Sequence, residues 1–145
     1  MPEETHYRKL ENMYHAAPCN AYYGPRLKVK EGHASLVLPI REDFYHAARA
    51  VHGSAYFKAI DDAAFFAANS VVEDVFVLTV TLNCYLVRPV TAGALHSEGR
   101  LLSQTKSVLI AEAVIRNDTG QEIARGSGSF MRSKIPLNQV PGYSL

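Results

Sequence analysis

Between residues 3 and 16, Tyr7, Leu10, Met13 and Tyr14 recur at helical spacing and Pro18 closes the pattern, which predicts a short amphipathic helix suited to covering a sheet edge. Alternating strand patterns follow over 26–30 and 34–38, and Glu31-Gly32-His33 between them reads as a hairpin turn. A polar stretch from about 41 to 51 leads to the one long helical run, about 54 to 70, rich in Ala and Phe and free of Gly and Pro after its start. From there the chain reads as strand, over 75–87, 94–103, 107–116 and 122–132. Turn signals separate these segments at Pro89 with Gly93, at Gln104-Thr105-Lys106 and at Asn117-Asp118-Thr119-Gly120. Helix, two strands, helix and four strands make an α+β order, with one apolar helix available to be wrapped by one antiparallel sheet. Within 75–87, strict alternation places Thr79, Thr81, Asn83 and Tyr85 on one face and Val80, Leu82, Cys84 and Leu86 on the other.

Composition narrows the possibilities. No linker-like tract or internal repeat divides the 145 residues, so a single domain is expected, with a helical segment at 1–20 and a tail at 133–145. A formal net charge of +1 without long charged runs argues against nucleic acid or an anionic membrane as partner through bulk electrostatics. No apolar run approaches the ~20 residues that span a bilayer. The Met1-Pro2-Glu3-Glu4 start is acidic, unlike a secretory signal, and a cytoplasmic location is expected. Cys19 and Cys84 are the only cysteines; they lack metal-ligand spacing and are expected to be reduced.

The segment from His52 to Phe65 holds the candidate chemistry. Asp61 sits in an apolar helix, with Phe57, Ile60, Ala64 and Phe65 a residue or a turn away. A carboxylate against packed apolar surface needs either a function or a satisfying hydroxyl or lysine. Asp62, about 100° further round, can pair with Lys58 one turn earlier as a solvated ion pair. His52-Gly53-Ser54 opens the helix, where free backbone N–H groups and the positive end of the dipole suit a polarised carbonyl or oxyanion. Gly53 and Asp61 lie ~12 Å apart along a helix. They cannot grip one carbonyl within one chain, so joint action requires a site shared across a two-fold axis.

A His-Gly segment with an Asp nine residues after the His, followed by a long strand ending in Arg88-Pro89, resembles the hotdog-fold acyl-CoA thioesterases of the PaaI-like, phenylacetate-pathway type. The similarity runs from about 41 to 132 and takes in the Asn-Asp-Thr-Gly turn and Ala124-Arg125-Gly126. It implies a hotdog fold, an antiparallel sheet around one long central helix with a short N-terminal helix, and hydrolysis of acyl-CoA by a homodimer or homotetramer. No cofactor is implied beyond the coenzyme A of the substrate. By the same resemblance, Gly53 N–H polarises the thioester carbonyl and Asp61 is nucleophile or general base. Thr79, ten residues before Pro89, orients water or holds Asp61. The chain departs from the pattern at Ser54, where the family has a second Gly and where a side chain could cap the helix. It departs again at His46, where related enzymes often carry an Asn that holds the carbonyl; an imidazole can donate the same hydrogen bond. His52 is expected to fix the helix entry, and His52 and Ser54 to contact substrate.

Arg88, Lys106, Arg125 and Arg132 are candidates for the coenzyme phosphates, and the resemblance favours Arg88 and Lys106. Tyr56, Phe57, Phe65 and Phe66 are candidate acyl-pocket walls, whose bulk favours a short or aromatic acyl group. Two other readings stay open: a hydratase or dehydratase using His46 or His52 with a carboxylate, and a non-catalytic acyl-thioester binder. The sequence contains no Gly-x-Ser-x-Gly elbow, so a serine triad has no motif support.

Overall fold

A computed structural model describes residues 3–145; Met1 and Pro2, the start of the N-terminal segment, lie outside the described residues. Helix α1 (Glu4–Ala16) is followed by a short α2 (Pro18–Tyr23), the hairpin β1 (Arg26–Lys30) and β2 (His33–Pro39), and the long α3 (Gly53–Asn69). Strands β3 (Val75–Leu86), β4 (Ala94–Gln104), β5 (Leu109–Arg116) and β6 (Glu122–Pro136) complete one six-stranded antiparallel sheet in the order β1-β2-β4-β5-β6-β3. Pro18 ends α1 as expected and then starts α2, because a proline at the first helical position lacks only an N–H that had no partner there. Strand β6 runs past residue 132 to Pro136, so it includes the first residues of the expected tail. Leu137 is buried beyond it, and its N–H donates to the backbone carbonyl of Asp74.

The sheet curls around α3 in the hotdog arrangement. Ala59, Ile60, Ala63, Ala64, Ala67 and Ala68 are fully buried, and their small side chains let the helix lie close to the strands. At Gly99 a Cβ would sit 2.1 Å from the carbonyl oxygen of Ala63, so β4 touches the helix backbone itself. Gly126 plays a similar part, since a Cβ there would come within 3.0 Å of Ile60. The α3–β3 connection is locked by buried Asn69, whose amide donates to the carbonyls of Val72 and Val75 and accepts from Val77 N–H.

An edge strand exposes unpaired backbone groups, and α1 covers those of β1. His15 accepts from Leu27 N–H (3.1 Å), Glu11 accepts from Val29 N–H (2.7 Å), and Arg8 donates to Val29 C=O (2.6 Å). Residues 8, 11 and 15 share one helix face, while 27 and 29 share one strand edge. Glu11 is buried and also pairs with Arg8 at 2.9 Å. Glu11→Ala is expected to lower unfolding free energy by about 1.5–3 kcal/mol, the range for a lost charge-assisted hydrogen bond. A urea denaturation with a reduced midpoint at unchanged slope checks this.

The other edge, β3, is left open. From Leu78 to Leu86 no described residue pairs with its outer side, and Leu78, Val80, Tyr85, Leu86 and the following Val87 are exposed. No helix among the described residues is long and apolar enough to cross a membrane.

Candidate active site

Asp61 lies midway along α3, on the side turned towards β3. Its Oδ1 accepts a hydrogen bond of 2.9 Å from the Thr79 hydroxyl. This contact requires Thr79 to face the helix, whereas strict alternation would put Thr79 with Thr81 on the opposite face from Leu82. The register resolves the difference. Thr79 pairs with Phe130 and Thr81 with Ser129, so β3 advances two residues while β6 advances one. This is a β-bulge, which shifts the phase of the pleat by one residue and re-aims the side chains. Before it Val77 and Thr79 point inward; after it Leu82, Cys84 and Leu86 do. Thr81 points outward, where its hydroxyl meets that of Ser129 at 2.8 Å.

Burial raises the pKa of Asp61 above the usual aspartate value, and the neighbouring Asp62 carboxylate pushes it in the same direction; Thr79 and Lys58 oppose them. Asp61 and Thr79 border a pocket of about 430 Å³, within the ~300–1,000 Å³ typical of small-molecule clefts. Phe65, Phe66, Phe76 and Tyr14 supply aromatic walls, and Val140 and Pro141 contribute from the C-terminal segment. Phe65 and Phe66 thus line the pocket that Asp61 borders. Phe57 is exposed on the helix one turn before Asp61, and Tyr56 is a core residue whose hydroxyl donates to Arg88 C=O.

Asp62 forms the expected pair with Lys58, at 2.8 Å, but both side chains are largely buried rather than solvated. They are roofed by the α1–α2 corner. Tyr14 donates to Asp62 (2.5 Å) and Lys58 donates to Asn20 (2.6 Å). Burial and the adjacent Asp62 raise the pKa of the Tyr14 phenol and keep it protonated. Helical periodicity gave no sign of this cluster, since its partners lie 38 and 48 residues apart.

The helix start forms a second, separate groove. His46, Val51, Gly53, Tyr56, Leu86, Val87, Arg88 and Pro89 line a cleft of about 270 Å³. The cap of α3 is His52 rather than Ser54: its Nδ1 accepts from Ser54 N–H at 2.9 Å. The Gly53 N–H meets no acceptor among the described residues. A Cβ at Gly53 would lie 3.0 Å from a Leu86 methyl, so the end of β3 closes over this position. His46 opens a tight turn in which its backbone N–H donates to Ala50 C=O and its Nδ1 accepts from Ala48 N–H (3.0 Å). With Nδ1 accepting, the neutral ring carries its proton on Nε2, free to donate.

The structure thus brings His46, His52, Gly53, Ser54 and Arg88 together at one end of α3, and Asp61 with Thr79 in the other pocket. Lys106 does not join Arg88. It sits in the β4–β5 turn, held by Arg132, which donates to the carbonyls of Thr105 and Lys106, at the Val77 end of β3. Arg132 is engaged by this contact and Arg125 by two bonds of 2.7 Å to Glu122. Arg88 and Lys106 form no ion pair among the described residues. Among the described residues no three His, Cys, Asp or Glu side chains converge as a metal site.

A family model described as Thioesterase superfamily matches residues 49–124, more than half of the chain, and the chain belongs to that superfamily. The match spans Gly53, Asp61, Thr79, Arg88 and Lys106 but leaves out His46 and the α1–α2 corner. The candidate esterase SSO2140 of Saccharolobus solfataricus is 25% identical over 111 residues, which are 75% of this chain and 79% of the relative. The PaaI protein from the phenylacetic acid degradation operon of E. coli superposes with a TM-score of 0.85 at 20% identity, covering 94% of this chain and 99% of that one. The thioesterase HI1161 of Haemophilus influenzae superposes with a TM-score of 0.75 at 14% identity, covering 83% and 85%. At these identities the superpositions establish the hotdog fold.

Proposed function

We propose that this protein hydrolyses acyl-CoA thioesters at sites shared between two subunits, with Asp61 as the reacting carboxylate. The observation that carries the reading is Asp61 itself: a part-buried carboxylate with a raised pKa, held by one hydroxyl, at the mouth of an aromatic pocket. Asp61 serves either as base for the attacking water or as nucleophile; a thioester is reactive enough for a carboxylate in either role. Water supplies OH to the acyl carbon, the C–S bond breaks, and the thiolate leaves with a proton as free coenzyme A. Developing charge on the carbonyl oxygen is met by the Gly53 N–H at the positive end of α3 and by His46 Nε2–H.

Those donors come from a partner subunit. The open edge of β3, with its exposed Leu78, Val80, Leu86 and Val87, suits antiparallel pairing with a second copy. Such pairing about the strand centre carries the Thr79 end of one β3 to the Leu86 end of the other, and with it the Gly53 groove to Asp61. It also brings Lys106 of one subunit towards Arg88 of its mate, which makes both available to the coenzyme phosphates. The two histidines favour this reading over a hydratase. Each has Nδ1 engaged by a backbone N–H, so each offers a donor at Nε2 rather than a base.

The aromatic walls favour a short or aromatic acyl group. Free-thiol release measured over short, long and aromatic acyl-CoAs tests the reaction and its range together. The expected result is turnover that is best for short or aromatic acyl groups. Tight binding of acyl-CoA without thiol release would identify a binding module instead.

A further inference from the structure

Lys58 and Asp61 are three residues apart on α3, close enough to pair, yet they do not. The Lys58 ammonium has three N–H donors, and three acceptors surround it away from Asp61: Asp62 Oδ2 at 2.8 Å, Asn20 Oδ1 at 2.6 Å and Cys19 Sγ at 3.9 Å. The rings of Tyr14 and Tyr23 flank it, with centroids 5.4 and 5.2 Å away. Asp62 is held in turn by Tyr14 from α1. Among the described residues, Asp61 is left with the Thr79 hydroxyl as its one side-chain partner.

We propose that Asp62 is a positioning residue: with Tyr14 and Asn20 it holds the Lys58 ammonium away from Asp61, so that the carboxylate facing the pocket stays free of an ion pair. The need for such a device follows from the chemistry. A carboxylate locked to an ammonium is a weaker base and nucleophile, and its attacking oxygen is turned from the substrate. Lys58 is the cation on α3 within reach of Asp61, and the α1–α2 corner supplies what keeps it occupied. The other titratable groups around Asp61 are Tyr14 from α1, Cys19 from α2, Asp62 on α3 and Cys84 on β3; the C-terminal Val140 and Pro141 bring none.

The proposal rests on the reading of Asp61 as the reacting group, but its test does not require turnover. The Asp61 side-chain carboxyl is followed by ¹³C NMR through a pH titration, with its resonance assigned by loss in Asp61→Asn, in wild type, Asp62→Asn, Lys58→Met and the double variant. Asp62→Asn removes a negative neighbour and also releases Lys58, so the Asp61 midpoint falls. In the Lys58→Met background only the first effect remains. The expected result is non-additivity, with the Asp62→Asn shift at least one pH unit larger when Lys58 is present, a tenfold change in proton affinity. Equal shifts in the two backgrounds would overturn the proposal, because they mean that Lys58 does not move to Asp61. Should Asp62→Asn unfold, Lys58→Met alone decides: holding Lys58 away leaves only a small rise in the Asp61 midpoint, whereas a rise of a unit or more means that Lys58 already pairs with Asp61. If these midpoints behave as described while no acyl thioester is turned over, the hydrolase reading fails and the positioning role stands.

Discussion

Asp61→Asn is expected to reduce thiol release from acyl-CoA by about a thousandfold, the middle of the range for losing a positioned base, while the folded state is kept or strengthened. Both halves follow from the surroundings of Asp61. Its pKa is raised, with burial as the main cause and Asp62 next. The folded state therefore binds the proton more tightly than the unfolded chain does. As pH rises from the unfolded value through the raised folded value, stability is lost, and above that window the ionised carboxylate is a standing cost. The asparagine amide keeps the acceptor for Thr79 and removes the charge. At neutral pH the variant should thus melt at or above the wild-type temperature while losing its activity, as expected where a strained group is retained for function. A carboxylate held for structure would behave in the opposite way. The same shift fixes the pH dependence of the wild type: kcat/KM should fall on the acid side with a midpoint above that of an ordinary aspartate, read from a pH–rate profile.

Much of this was legible in the chain. The Ala- and Phe-rich run from Gly53 to Asn69, the alternating hairpin and the turn signals after each later strand are local patterns, and local patterns decide element type and order. Asp61 stood out because an acid among Phe57, Ile60, Ala64 and Phe65 conflicts with its surroundings. The face of Thr79 was not legible from alternation. A one-residue bulge near Val80 inverts the pleat without any Gly or Pro to mark it, and only the pairing with Phe130 and Ser129 reveals it. The resemblance to the PaaI-like family singled out Thr79 on other grounds than alternation, and the bulge turns its hydroxyl towards Asp61. The burial of Asp62 also escaped the sequence, since an i, i+4 pair with Lys58 reads as solvated until α1 and α2 are folded over it. That His52 fixes the helix entry was expected; that it does so as the side-chain cap, in place of Ser54, was not, because Ser is the commoner cap residue and stood two positions later.

The second large effect concerns the helix start. Gly53 is the first residue of α3, and the preceding His52 is extended, with φ −65° and ψ 147°. A proline fits that position: it tolerates an extended predecessor and lacks only the N–H that no intrahelical bond uses. Gly53→Pro therefore deletes the proposed oxyanion donor at a position where a proline is compatible with the helix, and its Cβ meets a Leu86 methyl that must adjust. Loss of such a donor is worth about a hundred- to a thousandfold in kcat. Because Gly53 and Asp61 lie ~12 Å apart along α3, their two variants disable different halves of what should be one site. Subunits of Asp61→Asn and Gly53→Pro, mixed in equal amounts and allowed to exchange, test this directly. Half of the randomly formed dimers are mixed, and each of these has one complete site of two, so the activity should recover to about a quarter of the wild-type rate. If exchanged, folded heterodimers remain as inactive as either parent, the two residues do not serve one site across subunits, and the shared-site account is wrong.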